Sequence, residues 1–406
     1  MQPTARIPWS GALDWRALEP YPSFLARRTG AAGGWVIGVG AKEALQAPRP
    51  GTWCFGHLAY DLKNSLEPLS SRHPVEDGFP QSRWCVPFWV VELSQGEATL
   101  HSMAEHREEA LSFLGALVGK APDSPAAPLT GWQVRTTREH YLKQVERVLH
   151  HIQHGDIYEL NYCTGRTAHQ LGWDPFAGFA QLMAANPAPF AAFYRMHDLF
   201  ALCASPERYL LVEEGKVLAQ PMKGTRRRHV DPAEDARLAL ELAADPKERS
   251  ENIMAVDVMR NDLSRVAASR SVVVEELCCV HAYPHVHQMT STIRACLREW
   301  ATAWDAVLAS FPMASMTGAP KLRSMQLIDE VEDMRRGLFS GTLGFFTPHG
   351  NADLNVVIRT LTYDASSGRA ALLTGSAITA SSVPGSEWEE CELKARSVLK
   401  AFGDVG

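Results

Sequence analysis

Tyr209-Leu210-Leu211-Val212, Glu213-Glu214-Gly215-Lys216, Val217-Leu218-Ala219 and Gln220-Pro221-Met222-Lys223-Gly224-Thr225-Arg226 follow one another without a break. The first block alternates like a strand, the second reads as a hairpin turn, and the third is the return strand. Lys223 then falls where a strand ends, with the backbone expected to turn at Gly224. Pro221 cannot donate to a central ladder, so this strand end belongs at a frayed end or an edge. A lysine fixed there beside a glycine is a place for a reactive amine. Taken alone, the stretch reads more simply as a solvated surface lysine. The rest of the chain decides between the two.

The chain has 406 residues, a length that suggests two or three domains or one large one. Hydrophobic residues make up 46% and charged residues 21%, the balance of a globular protein with a large core. The net charge of -6 gives no footprint for nucleic acid, and no long basic stripe is present. No apolar run approaches the roughly 20 residues of a membrane span. The first residues, Met1-Gln2-Pro3-Thr4-Ala5-Arg6, lack an apolar signal core. The eight cysteines are scattered without a Cys-x-x-Cys pair, which suggests reduced thiols in a cytoplasm.

Residues 1 to about 120 read as strand-rich, with strands at 35–40, 53–61, 87–93 and 98–101 and a helix over 105–117. Gly119 to Pro128 is rich in Pro, Ala, Ser and Gly and reads as a linker. We therefore divide the chain into a strand-rich region, 1–125, and a second region, 135–402. Thr137 opens a helix whose apolar spacing is Tyr141, Val145, Val148 and Ile152. A strand is expected over 157–163 and helices over 175–185, 232–244, 247–266, 303–309, 320–331 and 387–402. Further strands are expected over 271–276, 344–346, 354–359 and 371–374.

Several side-chain groups could carry chemistry. On the 247–266 helix, Glu251, Ala255, Val258 and Asp262 share one face. Asp262 opposes the helix dipole and needs an arginine or a metal as partner. Asp257 and Asn261 read as an intrahelical contact. On the last helix, Glu387, Glu390 and Lys394 lie on one face, opposite an apolar stripe of Trp388, Ala395, Val398, Leu399 and Phe402. Two carboxylates one turn apart suit a hard cation such as Mg²⁺, though a Glu–Lys helix pair worth about 0.3–0.5 kcal/mol explains them as simply. Thr317-Gly318-Ala319-Pro320-Lys321 opens a helix, and Gly375-Ser376-Ala377 follows a buried strand. Both could offer amides to an anion. His281, His285 and His287 match no zinc-site spacing.

Ser205-Pro206-Glu207-Arg208, Pro221-Met222-Lys223-Gly224-Thr225, the 251–262 stretch Glu-Asn-Ile-Met-Ala-Val-Asp-Val-Met-Arg-Asn-Asp, Thr317 to Lys321, Ile358-Arg359-Thr360 and Glu387-Trp388-Glu389-Glu390 together resemble the chorismate-utilising enzymes, in that family's order and spacing. The resemblance is close over residues 135 to 402 and looser in the N-terminal third, through residues 55–62. Anthranilate synthases carry a small residue where this chain has Lys223. The lysine resembles the branch that places an amino group on chorismate toward 4-aminobenzoate and folate. The resemblance implies an α+β fold, with two packed antiparallel β-sheets and helices outside.

The resemblance implies roles residue by residue. Lys223 is the expected nucleophile toward ring carbon C2, and Glu207 the acid and base at C4. Mg²⁺ is expected on Glu251 and Glu390, with Glu387, on the same face, helping at the metal through a water or from behind the two ligands. Gly224, Thr225, Arg359, Lys394 and the amides around Gly375, Ser376 and Ala377 are expected to bind the substrate carboxylates; arginine suits that task. Chorismate and ammonia are the expected reactants. The ammonia source is expected to be a separate glutamine amidotransferase subunit, because no Gly-x-Cys-x-Gly nucleophile turn occurs here. The chain ends at Gly406, so no fused lyase is expected. The leucine-rich serine motif of tryptophan-inhibited relatives is not evident, so no tryptophan inhibition is expected.

The chain departs from the family in places. Gln288 stands where a histidine is usual, and His287, one residue earlier, would face the other side of a strand. Phe339 replaces a common tyrosine, Ala377 a glycine, and Met313-Ala314 a small glycine pair. Anthranilate synthase, isochorismate synthase with water as nucleophile, and a non-catalytic chorismate-binding protein are the competing readings. Lys223 opposes the first two. The joint presence of Lys223, Glu207, Glu251 and Glu390 opposes the third.

Overall fold

The computed structural model describes residues 1–31, 33–119, 126–283 and 286–403. Part of the expected linker, 120–125, and His285 lie outside the described residues. Two antiparallel sheets pack face to face, with helices on their outer sides. The first sheet runs Gln2–Pro8, Glu97–Ser102, Trp89–Ser94, Trp35–Val39, Ser23–Arg28, Ala192–Met196, Leu199–Cys203, Thr360–Asp364, Arg369–Thr379, Glu159–His169 and Gly318–Ala319. The second runs Met222–Arg227, Val286–Cys296, Lys216–Ala219, Arg208–Glu213, Ala352–Asn355, Thr342–Phe346, Cys54–Leu58, Ser82–Val86 and Glu43–Leu45. Leu25, Val90, Tyr194 and Ala201 of the first sheet meet Phe55, Leu343 and Phe345 of the second in a shared apolar layer. Residues 1–125 and 135–402 interleave in both sheets, because Ser23–Arg28 pairs with Ala192–Met196 and Cys54–Leu58 pairs with Thr342–Phe346.

The helices start where local chemistry tells them to. Asp231 and Asp245 each precede a proline at the first helical position and accept amide hydrogen bonds. The second of these caps Pro246–Ser264, which buries Glu251, Asn252, Ala255, Val256, Met259, Asp262 and Leu263 along one face. Fully burying Val256, Met259 or Leu263 stabilises by about 1.5–3 kcal/mol each. The last helix, Pro384–Leu399, buries Ala395, Val398 and Leu399 of its expected stripe, but also buries Glu387 from the expected polar face and leaves Trp388 half-buried. No helix among the described residues is long and apolar enough to cross a membrane.

The structure corrects four local readings. The chain does not turn at Gly224: Met222–Arg227 is one continuous edge strand with a register shift between Lys223 and Thr225. Gly224 sits in that bulge at φ +69, where glycine alone is unstrained. Pro221 falls in the gap before it, and its carbonyl accepts from the Ser291 amide (3.2 Å). The expected 271–276 strand is Val273–Ala282, bulged twice against its partner. The expected 354–359 strand ends at Asn355, because the chain crosses there from the second sheet to the first. Arg359, at the end of that crossing, takes a positive φ of 50. Pro320 caps the Lys321–Val331 helix from outside instead of opening it.

Candidate active site

The chemistry-bearing residues converge where the Met222–Arg227 edge strand meets the helices Pro246–Ser264 and Pro384–Leu399 and the start of Glu159–His169. Lys223 is largely buried, and its Nζ donates to Glu159 Oε1 at 2.9 Å and lies 3.7 Å from Glu251 Oε2. Burial alone lowers the pKa of this amine. The charges of Glu159 and Glu251 outweigh burial and hold it above the ordinary lysine value.

Glu207 is buried, with its amide donating to Ser205 Oγ at 3.2 Å. Burial pushes its carboxyl up to about 7, against the Ser315 hydroxyl and the charges of Lys223, Lys394 and Arg359. Glu251 is also pushed up to about 7 by burial; Lys223 and Lys247 oppose this, and Glu159 and Glu248 reinforce it. The Arg359 carbonyl accepts from the Ala204 amide at 3.1 Å, but its guanidinium makes no hydrogen bond or ion pair among the described residues. Burial lowers its pKa, with Glu207 as the opposing charge. Glu387 is 1% exposed: one oxygen accepts from Lys247 Nζ at 2.7 Å, and the other, Oε2, is buried with no hydrogen-bond partner among the described residues. Lys394 bridges Glu390 (2.7 Å) and the Gly375 carbonyl (2.8 Å).

The sequence profile of the family described as chorismate binding enzyme matches residues 34–400. The chain belongs to the chorismate binding enzymes. It is 40% identical over 348 residues to the Escherichia coli (strain K12) protein named aminodeoxychorismate synthase component 1, covering 85% of this chain and 76% of that one. It is 36% identical over 355 residues to anthranilate synthase component 1 of Thermus thermophilus, with the same coverage. Among solved structures, anthranilate synthase component I of Streptococcus pneumoniae superposes with a TM-score of 0.78 at 23% identity, over 97% of this chain and 92% of that chain. That likeness shows the fold.

Within this chorismate-binding scaffold the expected residues are not equally free to act. The Ser376 hydroxyl bonds Tyr141 Oη at 2.8 Å, and the residue is fully buried. Gly375, Ser376 and Ala377 form no turn: they continue the strand to Thr379, opposite Cys163, Tyr162 and Asn161. A Cβ at Gly375 would stand 2.6 Å from Cys163 Sγ, so only glycine fits that approach. Thr225 Oγ1 donates to Gln288 Oε1 at 2.9 Å. His287 turns the other way, to Asp235 at 2.9 Å, and His281 lies beside Glu276. Asp262 finds its partner in Lys321, and Asp257 pairs with Arg260 instead of Asn261.

Three site residues escaped the sequence reading. Glu159 was invisible because strand alternation carries no hint of a buried carboxylate. Lys247 and Glu248 precede Glu251 by four and three residues on the same helix, a spacing that brings them together. That signal was available.

Proposed function

We propose that this chain is the chorismate-aminating component of an aminodeoxychorismate synthase. It converts chorismate and ammonia to 4-amino-4-deoxychorismate, on the way to 4-aminobenzoate and folate. The observation that carries the reading is the buried Lys223 amine among Glu159, Glu251 and Glu207. The relatives named aminodeoxychorismate synthase component 1 support it.

Lys223 attacks C2 of the ring, the double bonds shift, and the C4 hydroxyl leaves with a proton from Glu207. Glu159 is the nearest acceptor for the proton the amine must first lose. Ammonia then attacks C4, the lysine is expelled, and Glu207 takes up a proton. A carboxyl near 7 suits both duties at neutral pH. The Arg359 guanidinium, with no hydrogen bond among the described residues, is left to grip a carboxylate in bidentate fashion. Lys394, Gly224, Thr225 and the backbone at 375–377 complete the substrate site.

The acidic groups fit Mg²⁺. Among the described residues no three acidic, histidine or cysteine side chains stand ready as a metal cage. Yet Glu387 Oε2 is buried without a hydrogen-bond partner among those residues. Glu390 acts on Lys247 and Glu248, and Glu248 on Glu251, so the four carboxylates share one field. Glu251 and Glu390 would hold the ion, with Glu387 beside them. When bound, the ion would neutralise a substrate carboxylate and fix the ring.

A separate glutamine amidotransferase subunit supplies the ammonia. The eight cysteines are all unpaired, which supports a reducing, cytoplasmic setting. The test is the product from chorismate, Mg²⁺ and ¹⁵N-ammonium. The reading predicts ¹⁵N at C4 with the pyruvyl ether retained. The Thermus relative's name favours a second reading, under which the product is anthranilate with release of pyruvate.

A further inference from the structure

We propose that Gln288 is a positioning residue for Lys223: its side-chain amide locks the strand bulge from which the lysine projects. The inference rests on the reading of Lys223 as nucleophile.

A bulge disrupts the ladder and leaves backbone groups without strand partners. Here the register slips between Lys223 and Thr225, opposite Met289 and Gln288. The Gln288 side chain fills the gap. Its Nε2 donates to the Gly224 carbonyl at 2.7 Å and to the Lys223 carbonyl at 3.3 Å. Its Oε1 accepts from Thr225 Oγ1 at 2.9 Å. One planar amide thus reaches three successive residues, and the two carbonyl contacts fix which end carries the nitrogen. Gln288 is itself buried, on the Val286–Cys296 strand, with Thr225 opposite on one side and His281 on the other.

The bulge has little freedom to adapt. A Cβ on Gly224 would come within 2.8 Å of Leu242 Cδ1 and 2.9 Å of Glu248 Oε2. The lysine is therefore fixed at both ends: its backbone by Gln288 and its Nζ by Glu159. That matters because a lysine stem is flexible and delivers its amine precisely only if the base of the stem is held. Only an amide offers two donors and an acceptor in one plane. Glutamate would lose both donors and set a charge against two carbonyl oxygens. Methionine would fill the space and bond to neither.

The test uses the purified chain, wild type beside Gln288→Glu, Gln288→Met and Lys223→Ala. Three quantities are read: amination kinetics with saturating Mg²⁺ and ammonium, chorismate affinity, and acetylation of Lys223 by an amine reagent, followed by peptide mass spectrometry. We expect both Gln288 variants to lose about 10–100-fold in kcat, with chorismate dissociation shifted by no more than about fivefold. Lys223 acetylation should quicken severalfold while exposed Lys143 stays unchanged. If Lys223→Ala is inactive but both Gln288 variants keep wild-type kcat and labelling, the positioning role is overturned. If Lys223→Ala itself aminates chorismate, the nucleophile reading has failed instead. If both Gln288 variants lose activity only along with their folded state, Gln288 serves stability alone, and the inference also fails.

Discussion

The strand Glu159–His169 serves two buried clusters of charge, and they are finished differently. Two and four residues beyond Glu159, the Asn161 carbonyl and the Cys163 amide join the Arg336–Glu332 pair. There each guanidinium nitrogen has a partner: both Glu332 oxygens, the carbonyls of Met316 and Asn161, and Ser340 Oγ. At Glu159 the cluster around Lys223 is left open. Among the described residues the Arg359 guanidinium has no hydrogen-bond partner, Glu387 has a bare buried oxygen, and two carboxyls are held near 7. A cluster that only holds sheets together closes its hydrogen bonds. One that awaits a charged ligand leaves donors and acceptors unmatched, at a cost in stability that binding offsets.

The largest test of this contrast is at the open cluster. Lys223→Ala should cost chorismate amination at least about 10⁴-fold, more than about 5 kcal/mol of transition-state stabilisation, in steady-state assays. Retained amination would make Lys223 as structural as Arg336. At the closed cluster, Arg336→Met should lower stability by about 3–5 kcal/mol in urea unfolding, because Glu332 is left buried and unpaired. A loss below about 1 kcal/mol would show that the pairing there is not structural.

Arg359→Met should behave in the opposite way. Chorismate affinity, by equilibrium dialysis, should fall by about 1.5–3 kcal/mol, while unfolding shifts by under about 0.5 kcal/mol. A drop in stability without a drop in affinity would mean that its partner lies inside the protein.

The smallest effect concerns Glu207. Its folded pKa of about 7 lies above the ordinary 4.5, so its protonated form favours the native state. Its contribution is fully present below about 4.5 and is lost as pH rises through about 7. Glu207→Gln should therefore be more stable than wild type by about 1–2 kcal/mol at pH 8, and equal to it near pH 4. Equal stability at both pH values would place the carboxyl in contact with solvent.

Much of this was legible in the sequence where the signal is local. The 209–219 hairpin and the helices Pro175–Ala185 and Pro232–Ala244 announce themselves by alternation, turn residues and Asp-Pro starts. Ser23–Arg28 does not, because it is buried on both faces and has no alternation to read. The family, the lysine and the glutamates came through motif order and spacing. The bulge at Gly224 looked like a turn because register is set by a strand more than sixty residues away. Glu159 became visible only when that same edge strand was brought against the start of Glu159–His169.

The most direct measurement is the intact mass of the enzyme incubated with chorismate and Mg²⁺ without ammonia, then quenched. The expected product is a covalent adduct equal to chorismate less one water, mapped by peptide sequencing to Lys223 and absent from Lys223→Ala. Turnover to aminodeoxychorismate on adding ammonium, with no adduct formed at any stage, or an adduct on another residue, would contradict it.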